Sequence, residues 1–127
     1  MIVVDASAAV LGLLNNGNAR RSLAEQSSAV PHLADSEIAH TLRSQVTRGS
    51  IPVEAGRKAL ATWIRLSVRR YPARGLLSRV WELRANLTGY DATYVALAET
   101  LDCELLTADA RLAAAPGPRC PIVVVRD

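Results

Sequence analysis

The chain has 127 residues, half of them hydrophobic, about the size of one domain that builds its core without metal or disulfide staples. Charged residues make up 21%, and the formal charge is +3, a balance that excludes a disordered chain and suits a polyanionic partner. Lys58 is the only lysine, so the positive charge is carried by arginine, whose planar fork binds phosphate through two hydrogen bonds.

Ile2-Val3-Val4 is a β-branched run and reads as a short buried strand. It meets Asp5, where a helical pattern begins, with Ala9, Val10, Leu13 and Leu14 on one face. Asn15 to Asn18 is a loop, Arg20 to Gln26 a short helix, and Ala29-Val30-Pro31 a second strand. Leu33 to Arg48 is helical, Gly49 and Pro52 interrupt it, and Val53 to Arg70 is expected as a second long helix. Tyr71-Pro72 breaks that helix, and Arg74 to Leu87 is helical again. Thr88 and Gly89 open a helix from Tyr90 to Leu101. Glu104 to Thr107 reads as a strand, Asp109 to Ala115 as a helical turn, and Ile122 to Val125 as the last strand. Apolar strands alternating with helices predict one α/β domain over residues 1–127, a parallel sheet covered on both faces.

Met1 to Asp5 carries no basic region and reaches a carboxylate at once, unlike a signal peptide. No apolar run is long enough to span a bilayer. Cys103 and Cys120 form no C-x-x-C pair and read as free core thiols. A cytoplasmic protein without a membrane partner is the expectation.

Neither glycine-rich phosphate loop is present, nor a G-x-S-x-G nucleophile elbow. His32 and His40 lie far from both cysteines, without zinc-ligand spacing. The chemistry therefore falls to carboxylates. Glu25, Glu54, Glu82, Glu99 and Asp102 read as solvated helix charges. Asp5 follows the first strand and Asp109 lies just beyond the strand ending at Thr107. Ligands of open parallel sheets bind beyond the carboxyl ends of strands, so both acids belong to one edge. Asp91 lies in the first turn of its helix, and Glu37 lies one turn into the helix after the second strand. Each acid has a plainer role as well. Asp5 and Asp109 suit helix caps, Thr88 with Asp91 suits a capping box, and Glu37 suits a solvated surface.

If the four converge, their repulsion demands a cation, and a hard divalent ion such as Mg²⁺ or Mn²⁺ prefers oxygen ligands. Such an ion activates a water for attack on a phosphodiester. Ser7 and Thr107 would orient the acids or contact phosphate, or simply cap helices.

Val3-Val4-Asp5-Ala6-Ser7 resembles the opening of PIN-domain nucleases. Tyr90-Asp91-Ala92-Thr93-Tyr94-Val95-Ala96-Leu97-Ala98-Glu99 is similar to their most characteristic segment, and Leu105-Leu106-Thr107-Ala108-Asp109-Ala110-Arg111-Leu112 to the next. Pro31 with Ser36-Glu37-Ile38-Ala39 matches the region of the family's glutamate. These matches run in order over residues 2–112, and the chain resembles a VapC-type toxin of a VapBC toxin–antitoxin pair. The resemblance implies a sheet of four or five parallel strands. It implies a Mg²⁺ or Mn²⁺ site of Asp5, Glu37, Asp91 and Asp109, acting as catalytic and metal-binding residues. It also implies endonucleolytic cleavage of RNA, a homodimer, and a VapB-type antitoxin that blocks the site. Many relatives carry Asn three residues after the glutamate, where this chain has His40.

Arg65, Arg69, Arg70 and Arg74 cluster around the Pro72 break and would bind an RNA backbone or form a solvated helix end. Two further readings are a housekeeping RNA-processing nuclease and a non-catalytic scaffold binding RNA or a partner. Phosphoryl transfer through Asp5 fits less well. A dehalogenase-type phosphatase wants an acid where Ser7 stands, and a receiver domain wants a lysine after a late strand, whereas Lys58 lies mid-chain.

Overall fold

The computed structural model describes residues 1–127. Along the chain lie β1 (Ile2–Val4), α1 (Ala6–Leu14), α2 (Asn18–Glu25), β2 (Ser28–Pro31), α3 (Leu33–Thr47) and α4 (Val53–Arg65). They are followed by β3 (Val68–Tyr71), a 3-10 turn (Arg74–Leu76), α5 (Leu77–Glu82), α6 (Gly89–Thr100), β4 (Glu104–Thr107), α7 (Ala110–Ala114) and β5 (Ile122–Val124). The five strands are all parallel, in the order β3-β2-β1-β4-β5, with Ile2 opposite both Ser28 and Glu104.

The chain steps outward from β1 to β3 and then crosses back to β4. Right-handed crossovers then put α1 to α4 on one face and α5 to α7 on the other. Accordingly α1 touches α2, α3 and α4, while α6 lies across β1, β2 and β4 and touches α5. The central strands are buried on both faces, which is why Ile2-Val3-Val4 and Leu105-Leu106 are continuous apolar runs rather than alternating ones. Residues Ala92 to Ala98 of α6 are all buried, and the alanines among them let the helix lie close on the sheet.

One expected helix is corrected. The pattern predicted helix from Val53 to Arg70, but α4 ends at Arg65 and Val68–Tyr71 is the edge strand β3. Pairing with β2 over Ser28↔Val68 to Pro31↔Tyr71 supplies its backbone partners. Val68 and Tyr71 are half-buried, whereas Arg69 and Arg70 face water, a burial pattern open to an edge strand alone. The helix expected over Arg74 to Leu87 is shorter as well, with α5 ending at Glu82 in a series of turns.

Two ionic clusters tie the periphery down. Asp35 in the first turn of α3 accepts Arg70 Nε at 2.8 Å, Arg70 Nη2 at 3.0 Å and the buried Trp63 indole N–H at 2.7 Å. The edge strand is thereby fastened to α3 and α4. On the other face, Glu99 of α6 accepts Arg79 Nε at 2.7 Å and the Arg119 backbone N–H at 2.7 Å. That contact holds the loop before β5 against α5 and α6. No helix is long and apolar enough to cross a membrane.

Candidate functional site

The direction of strand order reverses at β1 and β4, and the carboxyl edge of that pair is where an open parallel sheet leaves a crevice. Asp5 stands there at the end of β1, 6% exposed. Its Oδ1 accepts the Ser7 hydroxyl at 2.6 Å and the Ala8 backbone N–H at 2.9 Å, and its Oδ2 accepts the Thr107 hydroxyl. The Ala8 bond makes Asp5 the N-cap of α1. Capping uses Oδ1 alone, and Oδ2 keeps a lone pair free. Cap and site are compatible roles for one carboxylate.

Ser7 and Thr107 lock the two strand ends together. Each hydroxyl spends its proton on Asp5 and accepts a backbone N–H, Ser7 from Ala108 at 2.9 Å and Thr107 from Asp109 at 3.0 Å. With both protons spent, their 3.3 Å separation is a contact and not a hydrogen bond.

Glu37 lies one turn into α3 and is half-buried. Its Oε1 accepts the hydroxyl of Tyr94 at 2.7 Å, from a ring that is 2% exposed. Tyr94 is one helical turn beyond Asp91 on α6, so a single helix carries one acid and positions another. Asp91 is also half-buried. Its backbone N–H is accepted by the Thr88 hydroxyl at 3.1 Å, the forward arm of the expected capping box. Asp109 caps α7 through the Arg111 backbone N–H at 2.9 Å, and the Arg111 guanidinium lies 3.3 and 3.4 Å from its two oxygens.

The acids influence one another. Burial pushes the Asp5 carboxyl above its ordinary range against the pull of Ser7, Thr107 and Ala8, and Asp91 adds a little to the push. Burial likewise raises Glu37, with Asp91 and Asp5 repelling its charge and Tyr94 opposing the rise. Asp91 is raised by burial and then by Asp109. Asp109 alone is lowered, because Arg111 neutralises it. The structure therefore brings all four acids to one edge as an electrostatically connected set. No three of them close around a common point; Glu37 is bonded to Tyr94 and Asp109 to Arg111.

The same motifs belong to a described family. A model of the PIN domain matches residues 2–118. Ribonuclease VapC9 of Mycobacterium tuberculosis is 57% identical over 125 residues, covering 98% of each chain. The chain belongs to the VapC family of PIN-domain proteins. Among solved PIN-like structures, PAE2754 from Pyrobaculum aerophilum superposes with a TM-score of 0.71 at 25% identity, over 95% of this chain and 81% of that one. VapBC2 from Rickettsia felis, bound to a DNA fragment from its promoter, gives 0.69 at 12% identity over 98% of each chain, a likeness of fold alone.

In this PIN domain Arg65, Arg69 and Arg70, expected together late in one helix with Arg74 beyond the Pro72 break, are divided between two elements. Arg65 ends α4, Arg69 and Arg70 lie on β3, and Arg74 begins the 3-10 turn. The Arg70 charge is already matched by Asp35, and its guanidinium lies 5.8 Å from the centre of the Trp63 ring. Arg65, Arg69 and Arg74 are exposed. Two residues at the acidic edge escaped the sequence reading. They are Tyr94, whose spacing from Asp91 places it on the same helical face, and Arg111, which follows Asp109 by two residues.

Proposed function

We propose that the chain is a divalent-metal-dependent endoribonuclease, the toxin of a VapBC-type pair, with Asp5, Glu37, Asp91 and Asp109 as its catalytic and metal-binding residues. The observation that carries this reading is the acidic edge itself. Asp5, Glu37 and Asp91 are buried or half-buried, burial raises the pKa of each, the neighbouring carboxylates add to the rise, and Arg111 is the one cation bonded to the set. All the donors there are oxygens, which fits a hard cation such as Mg²⁺ or Mn²⁺. The family's VapC9 is named a ribonuclease, which supports RNA as the substrate.

When bound, the ion supplies an activated water and stabilises charge developing on the scissile phosphate. The protein's part is pre-organisation. Ser7, Ala8 and Thr107 fix the Asp5 carboxylate so that one lone pair of Oδ2 remains for a ligand. Tyr94 holds Glu37 at a set angle, and α6 carries Asp91 beside it. Asp109, now bonded to Arg111, would hold the ion in its place, and the guanidinium would then be free for phosphate oxygens. Ser7 and Thr107 act through Asp5, as positioning residues.

A VapB-type antitoxin and a homodimer complete the reading, and the antitoxin follows from membership of the VapC family. Wild type and Asp5→Ala are expressed inducibly in bacteria without antitoxin, and growth and total RNA are followed. Arrest with discrete new RNA ends in the wild type alone is expected. Equal arrest by both proteins overturns the carboxylate mechanism, and silence in cells and with purified protein in Mn²⁺ overturns the enzyme.

A further inference from the structure

Beside the acidic edge lies an open cavity of about 490 Å³, lined by Leu33, Ser36, Glu37, His40, Thr41 and Tyr90. Its size falls in the range of small-ligand sites. The five residues from α3 follow the spacing i, i+3, i+4, i+7, i+8, so they form one face of that helix. Glu37 sits in the middle of the face, which makes the cavity continuous with the acidic edge. Tyr90, adjacent to Asp91 in the first turn of α6, forms the opposite wall and is 67% exposed.

A solitary exposed ring is ordinary on a protein surface. Here the ring stands across from hydrogen-bonding groups that no protein partner uses. Neither the hydroxyls of Ser36 and Thr41 nor the imidazole of His40 makes a side-chain hydrogen bond, in contrast to Ser7, Thr107 and Tyr94 nearby. A flat π-face together with free donors and acceptors at its margin is what an unpaired nucleobase requires. The apolar Leu33 side chain adds an apolar contact on the α3 side.

We propose that this cavity receives one unpaired base of the RNA, stacked on Tyr90 with its edge against Ser36, His40 and Thr41, while the adjoining phosphate lies at the acidic edge. The inference rests on the ribonuclease reading and adds to it a base subsite on one side of the cut. Specificity then arises from α3 and Tyr90, not from the carboxylates. The cavity's position also restricts substrates to single strands or loops, because a paired base cannot reach the ring.

The test uses short single-stranded RNAs with an abasic residue placed in turn at each position flanking the cut, cleaved in Mn²⁺ by wild type, Tyr90→Phe, Tyr90→Ala and His40→Ala. Stacking of one base supports a loss of about tenfold or more when the critical base is removed from the wild-type substrate. Tyr90→Phe is expected to keep that preference. Tyr90→Ala should cleave intact and abasic RNA alike, and His40→Ala should lose discrimination between bases at that one position. An abasic penalty of the same size in Tyr90→Ala as in wild type overturns the subsite. Because Tyr90 is largely exposed, its thermal midpoint should match that of the wild type, which separates loss of a contact from loss of fold. If the wild type cleaves none of these RNAs, the nuclease reading fails by itself. Fluorescence anisotropy with the same labelled RNAs then decides the subsite: discrimination lost in Tyr90→Ala sustains it, and equal affinities for intact and abasic RNA overturn it.

Discussion

The hydroxyl of Tyr94 donates to Glu37 Oε1 at 2.7 Å and so binds α6 to α3 across the carboxyl edge of the sheet. Tyr94 is almost wholly buried, and Glu37 is the one protein group bonded to its hydroxyl. Tyr94→Phe deletes this bond and keeps the packing. Hydrogen bonds to charged groups contribute about 1.5–3 kcal/mol, and a loss at the lower end of that range is expected in urea denaturation, since Glu37 can recruit water. Direct Mn²⁺ titration by electron paramagnetic resonance should show weaker binding, while Glu37→Gln should abolish the dependence on Tyr94. Unchanged Mn²⁺ affinity in Tyr94→Phe would show that Glu37 needs no such support.

Thr107 is fully buried and joins Asp5 to the Asp109 backbone. Thr107→Val keeps its shape but leaves a buried carboxylate and a backbone N–H each short of a partner, a loss of about 1–3 kcal/mol apiece. Thr107→Ser retains the hydroxyl and should recover most of the stability and RNA cleavage. Equal stability of the Val variant in urea would contradict the bonding described.

Acid stability should register the Asp35 cluster. Arg70 holds the Asp35 carboxyl below its usual range, with the Trp63 N–H helping against burial. A folded-state pKa below the unfolded value of about 3.9 means stability is present above that pH and is lost as pH falls through the folded value. Arg70→Met should therefore flatten the fall in stability below about pH 4 and leave its shape near neutrality unaltered. Thermal midpoints across an acid pH series measure this. The exposed position of the pair keeps the expected effect small.

Cys120 is half-buried and its thiol is pushed up to about 11 by burial, with the Glu99 carboxylate adding to the rise. The thiolate fraction at neutral pH is then roughly a hundredfold below that of an ordinary thiol, and alkylation by iodoacetamide should be slow in proportion. Burial raises Cys103 as well. Rapid modification of both cysteines in the folded protein would contradict this environment.

What the sequence determined by itself follows from local rules. Val3-Val4 and Leu105-Leu106 read as strands buried on two faces because these apolar runs are too short for a helix and are followed by helix-capping acids. Asp5 and Asp109 lie just beyond strand ends, so their common edge could be inferred from the α/β alternation before any coordinates, whereas Asp91 was placed only in the first turn of its helix. Glu37 was reached through the family pattern more than through its own surroundings. Tertiary structure alone decided the rest, because those features depend on partners distant in the chain. Val68-Arg69-Arg70-Tyr71 continues a helix by its neighbours and becomes a strand only through β2, which supplies the backbone bonds. Likewise Tyr94 differs from any buried ring of α6 only because Glu37 arrives from α3, and Arg70 is removed from the free basic surface only because Asp35 meets it across the sheet edge. Sequence spacing places a side chain on a face, but what occupies the other side of that face is settled by the packing of elements separated by tens of residues.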